Sequence, residues 1–292
     1  MKLKGYALGI ISAVSYGLIP IFILPVKQAN FSLDITLFYR FLFSALMIGG
    51  YLLYSKENFS INKKEGLILV ILGICYALSS EFLFLGYDYL TPGIASTVLF
   101  IYPVMVALIM FFFYKERLNK LSIISLFLAF AGVIVLCLKG KGLEINYAGL
   151  GIVMLSSLSY ALYMIIVNKS NIKVSGFKLS FYSMVFTSIF FMIKALIGRE
   201  SFEIPSTSVF FNFIIFAFLT TVISTLCLVF AIKSIGSTSA AILGALEPVV
   251  AVMVSVLIFH EKFTFNLLIG IILILFGVIL NVLAGSKKIV HS

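Results

Sequence analysis

In this chain of 292 residues, 62% are hydrophobic and 11% charged, far below the roughly 25% charged of a soluble domain, so water is not its main solvent. The net charge of +10 sits in short loops between apolar runs, which argues against a nucleic-acid-binding domain and for the flanks of membrane spans. Cys75, Cys137 and Cys227 each lie inside an apolar run without CxxC or Cys/His spacing, so they read as packing thiols, and no metal site or cofactor is expected.

The start, Met1-Lys2-Leu3-Lys4 before an apolar run, imitates a signal peptide, but no small-x-small cleavage site follows. It is counted as the first span. Runs of about 20 apolar residues place spans at 5–26, 32–54, 66–88, 92–114 and 121–138, then at 147–168, 176–197, 209–232, 238–259 and 264–284. Alternate loops hold 14 Lys and Arg on one side and 5 on the other, which predicts cytoplasmic termini. Lys194 is expected to snorkel from the outer end of the seventh span. The expected fold is an all-α polytopic membrane protein, multi-pass in the plasma membrane, or the inner membrane of a Gram-negative cell.

The second half repeats the first. Shifting by 144 residues aligns Gly5, Ser12, Ser15 and Tyr16 with Gly149, Ser156, Ser159 and Tyr160. A shift of 143 brings Phe38-Tyr39 onto Phe181-Tyr182, and 145 brings Pro103-Val104 onto Pro248-Val249 and Gly132-Val133-Ile134 onto Gly277-Val278-Ile279. The units are 1–140 and 147–285, followed by a cytoplasmic tail, 286–292. Five spans per unit is odd, so the second copy enters upside down. Inverted repeats suit a midplane site opened to one face and then the other.

The segments Tyr87-Asp88-Tyr89-Leu90-Thr91-Pro92-Gly93-Ile94-Ala95 through Tyr102-Pro103-Val104 to Lys115-Glu116-Arg117-Leu118, and Ile235-Gly236-Ser237-Thr238-Ser239-Ala240-Ala241 through Leu246-Glu247-Pro248-Val249 to His260-Glu261-Lys262-Phe263, carry a resemblance to a family. They resemble the EamA-like branch of the drug/metabolite transporter superfamily along nearly the whole chain. The resemblance implies ten helices in two inverted five-helix copies, and export or exchange of small metabolites.

Charge at bilayer depth costs about 2.5 to 3.5 kcal/mol on insertion scales, which singles out Arg40, Glu81 and Glu247. Glu247 lies near the midplane of its span; Arg40 and Glu81 each lie roughly 5 Å toward the outer side. Equal depth suggests an Arg40–Glu81 pair, either a gate or a permanent packing element. That pairing leaves Glu247 without a basic partner, to serve as a proton-coupling or substrate-contacting carboxylate or as a cap for backbone groups freed by Pro248. Its mate in the first copy is Tyr102.

Ser12, Ser15 and Tyr16 share a helix face, repeated by Ser156, Ser159, Tyr160 and Tyr163. Tyr76, Ser79 and Ser80, with Thr221, Ser224 and Thr225, add two polar stripes. Tyr16, Tyr76, Tyr102, Tyr160 and Tyr163 are expected around a cavity, because a buried phenol needs a partner. The Ser and Thr, including Ser12, Ser156, Thr221 and Ser224, either line that cavity or serve as small residues at helix contacts. Pro20, Pro103 and Pro248 are expected to kink their helices.

Only His260 and His291 are present and no G-x-x-x-x-G-K-[ST] loop occurs, so Ser-His chemistry at the midplane and P-loop hydrolysis are excluded and an enzyme is not expected. The leading expectation is a secondary transporter that exports an amino acid or related amphipathic metabolite by alternating access around a midplane cavity, with protons as a second partner and the lipid bilayer as surroundings. A passive facilitator or channel and a non-transporting scaffold stay open, as does monomer or homodimer. Nucleic acid is not expected as a partner.

Overall fold

Polar side chains in the loops decide where the helices begin, because the first turn of a helix leaves backbone N–H groups without partners. The computed structural model describes residues 2–19, 21–22, 32–86, 88–90, 95, 98–116, 119–137, 146–204, 206–258 and 265–290, with the backbone alone at 136–137, 251–252, 255, 267, 282 and 284–290. The hydroxyls of Ser32 and Ser175 accept from the amides of Ile35 and Lys178 at 3.3 and 3.0 Å. Asn62 and Glu65 form a reciprocal box, Glu65 N–H to Asn62 Oδ1 at 2.8 Å and Asn62 N–H to Glu65 Oε2 at 3.0 Å.

The resulting helices are α1 (Lys2–Gly17), α2 (Leu33–Tyr54), α3 (Lys63–Gly86), α4 (Tyr102–Tyr114), α5 (Lys120–Cys137), α6 (Tyr147–Lys169) and α7 (Gly176–Ile197). They continue with α8 (Thr207–Ile235), α9 in two pieces (Ser237–Leu243 and Leu246–Ile258) and α10 (Phe265–Val290). No strand occurs among the described residues. α2, α3, α6, α7 and α8, at 22 to 29 residues, are long and apolar enough to cross a membrane; 22 residues rise about 33 Å. Large apolar side chains such as Leu53, Phe112, Phe113, Phe127 and Leu257 point outward, as a lipid-facing surface requires.

The prolines act differently from the expected kinks. Pro103 and Pro248 stand in the first turns of α4 and of the second piece of α9, where a missing N–H leaves no helical bond unmade. The interruption in α9 is the turn at Gly244 and Ala245, and α1 ends at Gly17. Pro20 lies outside the described residues. At the α8–α9 junction Gly236 adopts φ +84°, the left-handed region in which a side chain is strained.

Glycines set the closest helix approaches, and they do so in matched pairs. A Cβ on Gly132 of α5 would lie 2.8 Å from the Gly270 carbonyl and from the Ile274 side chain of α10. A Cβ on Gly277 would lie 2.8 and 3.0 Å from the Ser125 carbonyl and the Ala129 amide of α5. The contact positions rise along one helix as they fall along the other, so α5 and α10 cross antiparallel. Likewise Gly5 of α1 abuts Ser234 and Ile235, while Gly149 of α6 abuts Tyr89 and Leu90. α1 thus packs on α8 as α6 packs on α3, and α2 lies along α7. The end holding Lys2 is termed proximal and the opposite end distal.

Leucine at Gly132 or Gly277 is expected to destabilise the protein by about 1 to 3 kcal/mol through overpacking. Leucine at Gly50, which has nothing within 4 Å of a built Cβ, serves as the neutral control in detergent unfolding titrations.

Candidate functional site

The i, i+3 spacing on α6 directs Tyr160 and Tyr163 to one side, where α1, α3 and α4 bring three further phenols. Tyr160 is the hub: its ring centroid lies 4.8 Å from Tyr102, 6.3 Å from Tyr76, 6.4 Å from Tyr163 and 6.5 Å from Tyr16. Tyr76 packs edge-on against Tyr163 at 5.2 Å and against Phe41 of α2 at 5.6 Å. Tyr76, Tyr102, Tyr160 and Tyr163 are buried, and Tyr16 is half-buried. The five tyrosines singled out in the sequence therefore form one cluster. Tyr102 is seated against Gly244, where a Cβ would overlap its hydroxyl, so the break in α9 makes room for it.

Arg40 does not meet Glu81. Its guanidinium is 1% exposed, and its Nε donates to Thr221 Oγ1 at 2.7 Å and its Nη2 to the Thr220 carbonyl at 3.4 Å. The carbon of the guanidinium also lies 4.7, 5.3 and 5.7 Å from the ring centroids of Phe216, Phe41 and Tyr16. The acceptors arise because α8 turns π-helical over Phe218–Ile223, which loosens the backbone ladder at the level of Arg40. The Ala217 carbonyl, next to this turn, takes the Ser44 hydroxyl at 3.3 Å. Sequence periodicity marked Thr221 as part of a stripe and gave no sign of the π turn or of Thr220.

Glu81 pairs instead with Lys194, which also reaches Asp34 Oδ1 at 2.8 Å. Lys194 therefore bridges α2, α3 and α7 rather than snorkelling. These groups border a cavity of about 260 Å³ at the distal end, with Ser32, Asp88 and Glu200 on its wall. The Ser32 hydroxyl donates to Glu200. Asp34 was not singled out in the sequence, because its place in the first turn of a helix looks like an ordinary dipole contact.

Glu247, in the first turn of the second piece of α9, is half-buried and has no hydrogen-bond or ion-pair partner among the described residues. Its carboxylate lies within electrostatic range of Tyr76, Tyr102 and Tyr160. α1 passes directly over its backbone, since a Cβ on Gly17 would lie 2.7 Å from the Glu247 carbonyl.

The serines pair with each other. Ser12 and Ser224 oxygens lie 3.4 Å apart across α1 and α8, and Ser79 and Ser156 oxygens lie 3.4 Å apart across α3 and α6. Ser156 also donates to the Ser79 carbonyl at 2.6 Å. Their geometry is that of helix contacts. Ser183, the mate of Arg40, lies near Tyr163, and neither hydroxyl has a hydrogen bond of good geometry among the described residues. Among the described residues no three His, Cys, Asp or Glu are grouped to hold a metal ion.

The EamA-like transporter family model matches the chain twice, over residues 3–138 and 147–283. The uncharacterized transporter YvbV of Bacillus subtilis (strain 168) is 25% identical over 206 residues, covering 70% of this chain and 68% of its own. The uncharacterized transporter YetK of the same organism is 23% identical over 256 residues, covering 85% and 78%. A solved crystal structure superposes with a TM-score of 0.85 over 99% of both chains at 14% identity, a likeness of fold.

Replacing Thr221 by Val removes a hydrogen bond to a buried cation and is expected to destabilise the protein by about 1.5 to 3 kcal/mol. Ser183→Ala, at the mate of Arg40, removes a hydroxyl without a hydrogen bond and is expected to change little in the same unfolding titration.

Proposed function

Because the chain belongs to the EamA-like transporter family, we propose that it is a secondary transporter of a small amphipathic metabolite bearing an amino group, an amino acid or a relative of one. Two five-helix copies in opposite orientation alternate access to the tyrosine cluster, with both termini in the cytoplasm and export as the direction. The antiparallel crossing of α5 and α10, and the matched glycine and serine contacts, support the inversion. The exposed apolar surface supports residence in a membrane, and the basic loops on one side support the orientation.

The observation that carries the chemistry is Glu247, a carboxylate without a hydrogen-bond or ion-pair partner among the described residues and within electrostatic range of Tyr76, Tyr102 and Tyr160. A carboxylate in such a place holds either a proton or the ammonium of a solute, and competition between the two couples their movements. Tyrosine faces supply apolar surface and cation–π attraction for the same ammonium. Arg40 is already held by protein groups, and Tyr102, the mate of Glu247, carries no charge at neutral pH. The coupling function therefore falls on one copy.

Purified protein in liposomes, offered a panel of amino acids and amines, tests this. With one proton exchanged per solute, a one-unit pH gradient is expected to sustain up to about a tenfold solute gradient. Glu247→Gln is expected to abolish uphill movement. Equilibration without a response to the pH gradient assigns the passive facilitator instead, and failure of every solute to move overturns transport of this class.

A further inference from the structure

The distal and proximal ends of the α2–α7 contact are alike under a shift of 143 residues and differ in their charged groups; the proximal Lys178, mate of Ile35, donates to the Ser60 carbonyl at 2.6 Å. At the distal end the Tyr39 hydroxyl donates to the Phe202 carbonyl, and Phe38 meets Phe202 edge-on at 5.4 Å. At the proximal end Tyr182 donates to the Phe59 carbonyl at 2.6 Å, and Phe181 meets Phe59 edge-on at 5.4 Å. Ser32 and Ser175 cap the two helices alike. The mates of Asp34 and Lys194, however, are Phe177 and Tyr51, whose rings pack at 4.5 Å. An ion pair joins the helices at one end where an aromatic contact joins them at the other.

Among the described residues that line the distal cavity, carboxylates outnumber ammonium groups. Lys194 answers Asp34 and Glu81 together, while Asp88 and Glu200 border the same 260 Å³ cavity. Two of these carboxylates, Asp34 and Glu81, reach the ammonium, which therefore ties α2 and α3 to the end of α7 alongside the Tyr39–Phe202 contact. The Lys194 side chain is 39% exposed, whereas those of Asp34 and Glu81 are 17% and 11% exposed. Water and salt therefore reach the cation, and hydrating it leaves carboxylates that repel one another across the helices. An aromatic contact has no such release, because its attraction does not depend on ionic strength.

We propose that the Asp34–Lys194–Glu81 bridge is an electrostatic latch that keeps the distal end closed and releases it independently of the proximal end. The idea goes beyond the transport reading, and its test needs no solute, so either can fail alone.

Hydrogen exchange of the full chain in lipid nanodiscs reads opening at each end. In the charge-free variant Asp34→Asn/Glu81→Gln/Lys194→Met, exchange across residues 32–37 and 194–204 is expected to rise about tenfold, with residues 55–62 and 175–182 unchanged. Salt at about 1 M, where the Debye length is about 3 Å, is expected to act in the same direction on the unmodified protein. Transplanting the proximal contact with Asp34→Phe/Lys194→Tyr/Glu81→Leu is expected to return slow, salt-insensitive exchange. The salt arm uses unmodified protein, so a variant that misfolds does not remove the test. Unchanged distal exchange in the charge-free variant and in high salt, or an equal rise at both ends, overturns the latch.

Discussion

A chain bounded by lipid has to satisfy its polar groups from within, and that constraint organises most of what is seen here. Backbone groups are satisfied by helices, and loop side chains cap the helix starts at Ser32, Asn62, Asn146 and Ser175. The one buried guanidinium among the described residues, Arg40, is met by a change in the backbone itself: the π turn of α8 faces it with the Thr220 carbonyl beside the Thr221 hydroxyl. Ser12 with Ser224, and Ser79 with Ser156, answer one another across helix contacts. Against this background Glu247 stands out, a half-buried carboxylate whose counter-charge is not supplied by the described residues.

The two copies keep their likeness where packing needs it and lose it where charge is concerned. Glycine approaches at Gly132 and Gly277, the tyrosine-to-carbonyl bonds of Tyr39 and Tyr182, and the paired serines all survive in both copies. Close packing tolerates little change of volume, so these positions are held by sterics on both sides of the contact. Charged groups meet the opposite demand. Arg40 against Ser183, Glu247 against Tyr102, and Asp34 with Lys194 against Phe177 with Tyr51 each set charge in one member of a pair and an uncharged side chain in the other.

Helices were legible from apolar run lengths: α2, α3, α6 and α7 begin and end within a few residues of the expected spans because lipid thickness and loop polarity act on local sequence, whereas α1 ends at Gly17 against an expected 26 and α4 begins at Tyr102 against an expected 92. The tyrosine cluster was legible as well, through repeated spacing on α1 and α6. The Arg40–Glu81 pair was not. Equal depth along helix axes says nothing about azimuth, and a rotation about α2 decides whether Arg40 faces α3 or α8. Lys194 was misread for a related reason: a lysine near a span end is free to snorkel unless two carboxylates from other helices stand within its reach, and those belong to segments more than 100 residues away.

The amino-acid sequence by itself therefore determined that this is a helical membrane protein of two related halves, that its family is the EamA-like transporters, and which side chains carry charge below the surface. Composition, periodicity and repetition are properties of the chain read in order. Tertiary structure alone decided that Arg40 is held by a π turn, that Glu81 belongs to Lys194, that Pro103 and Pro248 open helices instead of bending them, and that Glu247 comes within electrostatic range of three tyrosines. Each of these depends on which faces of distant helices meet, a matter of packing that local pattern does not encode.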